Sequence, residues 1–163
     1  MSLTPEHPFI DTLRQALEHV YGEHLVSAAL FGSVARRSAR PDSDVDLFLV
    51  VDDLPRGRRA RLVTFDPVER EITPARRALA AAGIVTEVMP ILRTPEEIRS
   101  QSPLMLDLTE DAVLLLDRDA TLTRSLDDLR QRLRRLGSRR ILDAEGWYWD
   151  LKPDYRRGEI VEI

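Results

Sequence analysis

The segment Phe31-Gly32-Ser33-Val34-Ala35-Arg36-Arg37, followed by Pro41-Asp42-Ser43-Asp44-Val45-Asp46-Leu47-Phe48-Leu49-Val50, decides how this chain is read. A Gly-Ser pair leaves a short apolar run, Leu25 to Phe31. Ten residues separate Ser33 from Asp44, and Asp-Val-Asp opens a second, β-branched and aromatic run that ends at Val51. Side chains alternate along a strand, so Asp44 and Asp46 share one face while Val45 and Leu47 point to the other, toward a core.

Two carboxylates held this close repel, and a divalent cation relieves the repulsion. Oxygen-only ligands suit Mg²⁺ or Mn²⁺, with phosphate oxygens of a nucleotide completing the shell. Gly32 lets the backbone approach a phosphate closely. Ser33 stands where a short helix begins, with free backbone N–H groups, a favourable dipole and a hydroxyl that can cap the turn. The chemistry expected of such a pair of elements is metal-dependent nucleotidyl transfer, by in-line attack on an α-phosphorus with pyrophosphate leaving. Arg36 and Arg37 follow Ser33 by one turn and are placed either on triphosphate oxygens or on a solvated helix face. A third carboxylate would help hold the metal and activate the nucleophile. Glu87 is the candidate, because it is read as mid-strand between apolar residues, where an unpaired carboxylate is costly.

The rest of the chain reads as the frame around that segment. Its 163 residues, 43% hydrophobic and 32% charged, suit one soluble domain with a real core rather than a disordered chain. The expected layout is a single domain over 1–163, with a core over about 8–117 and a C-terminal helix and tail over about 120–163. The absence of cysteine excludes disulfides and thiolate metal sites and fits a reducing cytoplasm. Pro5, Glu6 and Pro8 stand where a signal peptide would be basic and then apolar, and no apolar run approaches a membrane span. A net charge of −4 argues against a general nucleic-acid binder, although Arg56, Arg58, Arg59 and Arg61 cluster, as do Arg130, Arg132, Arg134, Arg135, Arg139 and Arg140.

Thr4-Pro5-Glu6 predicts a helix start, with Ile10, Leu13, Leu17 and Val20 on its apolar stripe and Gly22 at its end. Leu54 to Ala82 predicts a helical stretch broken at Asp66-Pro67 and Thr73-Pro74. Ile84 to Leu92 predicts a strand with Val85, Glu87 and Met89 on one face. Thr94-Pro95-Glu96-Glu97 predicts a capping box, and Ser102-Pro103 a short helix. Val113 to Leu116 predicts a strand, and Leu122, Leu126, Leu129, Leu133 and Leu136 an amphipathic helix closed by Gly137. Two short strands around residues 143–146 predict a hairpin. Trp147 and Trp149 share a face there, for packing of the tail or for stacking on a base. Asp107, Glu110 and Asp111 are expected on a solvated acidic face, and the scattered His7, His19 and His24 at the surface.

Gly32, Ser33, Asp44 and Asp46 match, position for position, the Gly-Ser, ten-residue spacer, Asp-x-Asp signature of the DNA polymerase beta-like nucleotidyltransferase superfamily. The chain resembles its minimal nucleotidyltransferase group, small standalone prokaryotic members whose tails are similar to Gly146-Trp147-Tyr148-Trp149. The resemblance implies an α/β (α+β) fold, a small mixed β-sheet flanked by helices. It also implies a divalent metal and a nucleoside triphosphate donor, ATP by preference. Members include antitoxins that adenylylate a partner toxin with a higher-eukaryote-and-prokaryote nucleotide-binding domain. A catalytically inactive antitoxin-like binding module and an antibiotic nucleotidyltransferase are the alternatives, and tRNA stays open as a partner. The superfamily's third acid is usually Asp, so Glu87 departs from the pattern.

Overall fold

The computed structural model describes residues 2–99, 102–143, 146–157 and 159. Helix α1 spans Pro8–Tyr21 and leads through a short turn into β1, Leu25–Phe31. The four-residue α2, Gly32–Ala35, and a loop connect β1 to β2, Val45–Val51. Then follow α3 (Arg58–Ala81), β3 (Val88–Arg93), α4 (Pro103–Asp111), β4 (Val113–Asp117) and α5 (Thr121–Leu136). A hairpin of β5, Arg139–Asp143, and β6, Gly146–Asp150, comes last.

The four-stranded sheet has the order β3-β2-β1-β4, and the hairpin forms a second sheet. β1 is antiparallel to both β2 and β4, whereas β2 and β3 are parallel, so the sheet is mixed. The expected α/β class with a small mixed sheet and flanking helices is what the chain adopts. Strand β2 explains the layering. Val45, Leu47, Leu49 and Val51 join Leu13 and Leu17 of α1 and Phe65, Val68 and Ile72 of α3 in one core. Phe48 and Val50 join Met105 and Leu108 of α4 and Leu126, Leu129 and Leu133 of α5 in the other. Each fully buried leucine contributes roughly 1.5–3 kcal/mol by leaving water. By the same alternation Asp44 and Asp46 fall on the α4–α5 face of the sheet.

Three local expectations are corrected. Helix α1 starts three residues later than Thr4-Pro5 predicts: His7 is the N-cap, its Nδ1 accepting from the Phe9 N–H, and Pro8 takes the first helical position. Helix α3 is one 24-residue helix that carries Pro67 and Pro74 inside it. Each proline removes one backbone donor, but the carbonyls left unpaired belong to Val63 and Arg70, both exposed, and water can satisfy them. The buried stripe Phe65, Val68, Ile72 and Leu79 outweighs the two lost bonds. Residues 84–87 keep the predicted alternation, Ile84 and Thr86 buried and Val85 and Glu87 exposed, yet β3 begins only at Val88. The capping box closes reciprocally, Thr94 N donating to Glu97 Oε2 (3.1 Å) and Glu97 N to Thr94 Oγ1 (3.3 Å), over a single turn at Glu97–Arg99. Gly137 ends α5 in the left-handed conformation, as predicted. Both hairpin strands form, while the expected turn residues 144–145 lie outside the described residues.

Candidate active site

Phe31, the last residue of β1, pairs with Asp46 on β2, so the chain leaves the sheet directly beside the Asp46 carboxylate. Gly32 makes that departure with φ +69°. A Cβ built there would stand 2.0 Å from Asp46 Oδ2, so the turn and the carboxylate fit only because position 32 has no side chain. The short α2 then closes with Arg36 N donating to Gly32 O (3.1 Å) and Arg37 N to Val34 O (3.1 Å). Phe31, not Ser33, occupies the N-cap position and makes no side-chain cap bond, so Ser33 sits inside the first turn. That corrects the capping role expected of its hydroxyl.

The segment 84–87 fixes the other carboxylate. Val85 N donates to Pro41 O (2.8 Å), Val45 N to Glu87 O (2.8 Å) and Thr86 Oγ1 to Ser43 O (2.8 Å). Glu87 N donates to Asp44 Oδ1 at 3.3 Å. Asp44 is exposed and Asp46 half-buried. Burial, and then the charge of Asp44, raise the proton affinity of Asp46 above that of an ordinary carboxylate, while Arg36 pulls it back. This is the electrostatic state that a cation relieves, and an all-oxygen pair of carboxylates fits Mg²⁺ or Mn²⁺.

The other expected site residues fall in three places. Arg36 closes α2 and is drawn to Asp111, Nη1 donating to Oδ2 at 2.9 Å. Arg37 forks onto the exposed Glu6, Nη1 donating to Oε2 at 2.6 Å and Nη2 to Oε1. Glu87 adjoins Asp44 through its backbone, but its side chain forms an ion pair with Arg76 of α3, Nη2 to Oε1 at 2.5 Å. Accordingly, among the described residues no three His, Cys, Asp or Glu side chains converge to hold a metal ion.

Two groups were invisible in the sequence. Arg76 bonds Glu69 (2.7 Å) as well as Glu87, and its Nε is buried with no hydrogen-bond partner among the described residues. Asp111, expected on a solvated face, is instead 11% exposed and shared by Arg36 and Arg140. Asp107 accepts from the Nε1 of both Trp147 and Trp149, each at 3.2 Å. Glu69 and Arg76 are two turns apart on α3, but no spacing signal points to the other pairings, because their partners come from different elements.

A mixed sheet that sets a Gly-Ser turn against an Asp-x-Asp strand defines a nucleotidyltransferase. Residues 10–105 match the family model described as nucleotidyltransferase domain, and the chain belongs to that family. It is 27% identical over 140 residues to a Methanocaldococcus jannaschii protein named "Putative protein adenylyltransferase MJ1305", covering 85% of this chain and 90% of that one. Among solved structures it is similar to a toxin-antitoxin crystallised with AMP-PNP, at 15% identity and TM-score 0.44, and to a mutant of the toxin-antitoxin MntA-HpeT, at 16% and 0.47. Both alignments cover 78% of this chain and 91% of the other. Among the described residues no helix is long and apolar enough to cross a membrane.

Proposed function

We propose that this nucleotidyltransferase transfers AMP from ATP to a side-chain hydroxyl of a partner protein, with Mg²⁺ or Mn²⁺ held by Asp44 and Asp46. The observation that carries the reading is the Asp46 carboxylate packed against Gly32, with its proton affinity raised by its burial and by the neighbouring Asp44. A protein acceptor is supported by the name of the Methanocaldococcus jannaschii relative, which aligns over most of both chains.

In this reading the backbone N–H groups of the Gly32-Ser33 turn and the Arg36 guanidinium bind the triphosphate. Asp44 and Asp46 hold the cation, which when bound would neutralise charge on the phosphates and polarise the α-phosphate. The acceptor hydroxyl oxygen forms a bond to the α-phosphorus, the bond to pyrophosphate breaks, and the hydroxyl proton passes to a carboxylate. Glu87 is assigned that role; released from Arg76, its carboxylate would also serve as the third ligand of the cation. Arg37, committed to Glu6, contributes charge rather than a positioned contact. The cysteine-free composition and an ATP donor fit the cytoplasm.

A partner toxin with a higher-eukaryote-and-prokaryote nucleotide-binding domain is the acceptor we assign. A second reading, a binding module without turnover, is favoured by one observation, the Arg76–Glu87 ion pair. A cationic antibiotic acceptor would need an acidic pocket. Three described cavities are instead rich in basic side chains: about 580 Å³ beside Arg58, Arg61 and Arg93, about 440 Å³ beside Arg134, Arg135 and Lys152, and about 420 Å³ beside Arg99, Arg124 and Arg132.

The test is incubation with labelled ATP, Mg²⁺ and the product of the neighbouring gene. Label is expected in the partner and is expected to fall at least about a hundredfold in Asp44→Asn plus Asp46→Asn. Transfer that survives the double substitution would falsify the mechanism. Tight binding of the partner without transfer would establish the module reading instead.

A further inference from the structure

The family match ends at residue 105, yet the side chains that hold Arg36 come from beyond it. Asp111 is the last residue of α4, where a carboxylate meets the negative end of the helix dipole and is disfavoured unless cations face it. Two do. Arg36 Nη1 donates to its Oδ2 at 2.9 Å. Arg140 of β5 donates from Nη1 to Oδ1 at 3.1 Å and from Nη2 to Oδ2 at 3.3 Å. The Asp111 side chain is 11% exposed and that of Arg140 22%, so these charges are largely withdrawn from solvent screening.

Trp147 of β6 completes the arrangement. Its ring centroid lies 4.1 Å from Arg140 Cζ and 4.7 Å from Arg36 Cζ, within cation–π range of both. Asp107, one turn before Asp111 on α4, anchors the same ring through Nε1 at 3.2 Å and anchors Trp149 at the same distance. Arg36 lies at the end of the α2 turn, whose first residue, Gly32, packs against the Asp46 carboxylate. A guanidinium is a fork of five donors, so one bond to Asp111 does not exhaust it. A free arginine would spread over many rotamers, and one clamped by a carboxylate and a ring is pre-organised.

We propose that the C-terminal hairpin is part of the nucleotide site: Asp111, Arg140 and Trp147 are positioning residues that hold the Arg36 guanidinium at the end of the Gly32-Ser33 turn, ready for the triphosphate of the donor. The proposal rests on the nucleotide-binding reading above. It assigns Trp147 to the arginine clamp and not to stacking on a base. It also explains why a hairpin outside the matched region carries two tryptophans and an arginine directed at α4.

The full chain with Trp149→Phe leaves Trp147 as its one tryptophan. ATP, GTP, CTP and UTP are each titrated with Mg²⁺ while its emission is followed, and labelled nucleotide in equilibrium dialysis supplies the dissociation constant. At least one nucleotide is expected to change the emission saturably. Arg140→Met is expected to weaken that nucleotide about tenfold while retaining its circular dichroism and melting transition. Arg36→Met should lose as much, and the double variant no more, since both act through one contact. Arg139→Met, on the same strand but paired with Asp150, should bind normally. Should Arg140→Met fail to fold, Trp147→Leu carries the same expectation. Native affinity in these folded variants, or additive losses, overturns the hairpin proposal and leaves the nucleotide site standing. Absence of binding by the unaltered chain overturns the nucleotide reading, and the proposal with it.

Discussion

Gly32 and Asp46 occupy each other's space: a methyl group on Gly32 would lie 2.0 Å from Asp46 Oδ2. The backbone there is left-handed, at φ +69°. Gly137 has nearly the same φ, +68°, but nothing within 4 Å of a Cβ. The pair separates backbone strain from occlusion. Gly137→Ala is expected to cost about 1–2 kcal/mol in urea unfolding and to leave nucleotide transfer unchanged. Gly32→Ala is expected to cost at least as much and to abolish transfer, because the carboxylate must move. Full transfer by a folded Gly32→Ala chain would show that the Asp46 position is not used.

The proton affinity of Asp46 sets a pH dependence with a definite sign. Burial first, then Asp44, raise it above the ordinary carboxylate range, against Arg36. The native state therefore binds more protons than the unfolded one between the two pKa values. Stability from this group is complete below the ordinary Asp pKa and is lost as pH rises through the raised one. Without divalent metal, Asp46→Asn should melt higher than the unaltered chain at neutral pH, with the gap closing in acid. Added Mg²⁺ should raise the melting temperature of the unaltered chain and not that of the variant. Thermal scans across pH, with and without Mg²⁺, decide it. A variant that melts lower at every pH would contradict the sign.

Arg76 holds Glu87 at 2.5 Å and Glu69 at 2.7 Å, at the price of a buried Nε without a partner among the described residues. Removing the guanidinium removes that orphan as well, so Arg76→Met should change stability by no more than about 1 kcal/mol. It should also free Glu87 and tighten Mn²⁺ binding several-fold, measured by electron paramagnetic resonance titration. Glu87→Gln should weaken Mn²⁺ by about tenfold. Mn²⁺ affinity identical in Glu87→Gln and the unaltered chain would remove Glu87 from the metal site.

Pro74 lies exposed inside α3, where it deprives the helix of one hydrogen bond. Pro74→Ala is expected to raise stability by about 1–3 kcal/mol, after the loss of proline's constraint on the unfolded chain. Leu129, 2% exposed on α5, tests the other core: Leu129→Ala should cost about 2–5 kcal/mol. Urea midpoints at constant slope measure both. A destabilised Pro74→Ala would mean that the proline shapes a bend the packing needs.

The sequence by itself determined β1 and β2, the Gly32 turn and the glycine stop after α5, though not where β3 begins. These are consequences of local backbone geometry: alternation along a strand, helical spacing and the steric demand of a positive φ leave marks within a few residues. The prolines of α3 misled because propensity is local, while the stripe Phe65, Val68, Ile72 and Leu79 draws its energy from helices and strands elsewhere. The partners of the charges were decided by tertiary structure alone. With 24 basic and 28 acidic side chains available, sequence offers no reason for Arg36 to choose Asp111, 75 residues away, or for Glu87 to choose Arg76. Long charged side chains pair with whatever the packed elements bring within a few ångströms, and that proximity exists only once α4, the hairpin and the sheet have come together.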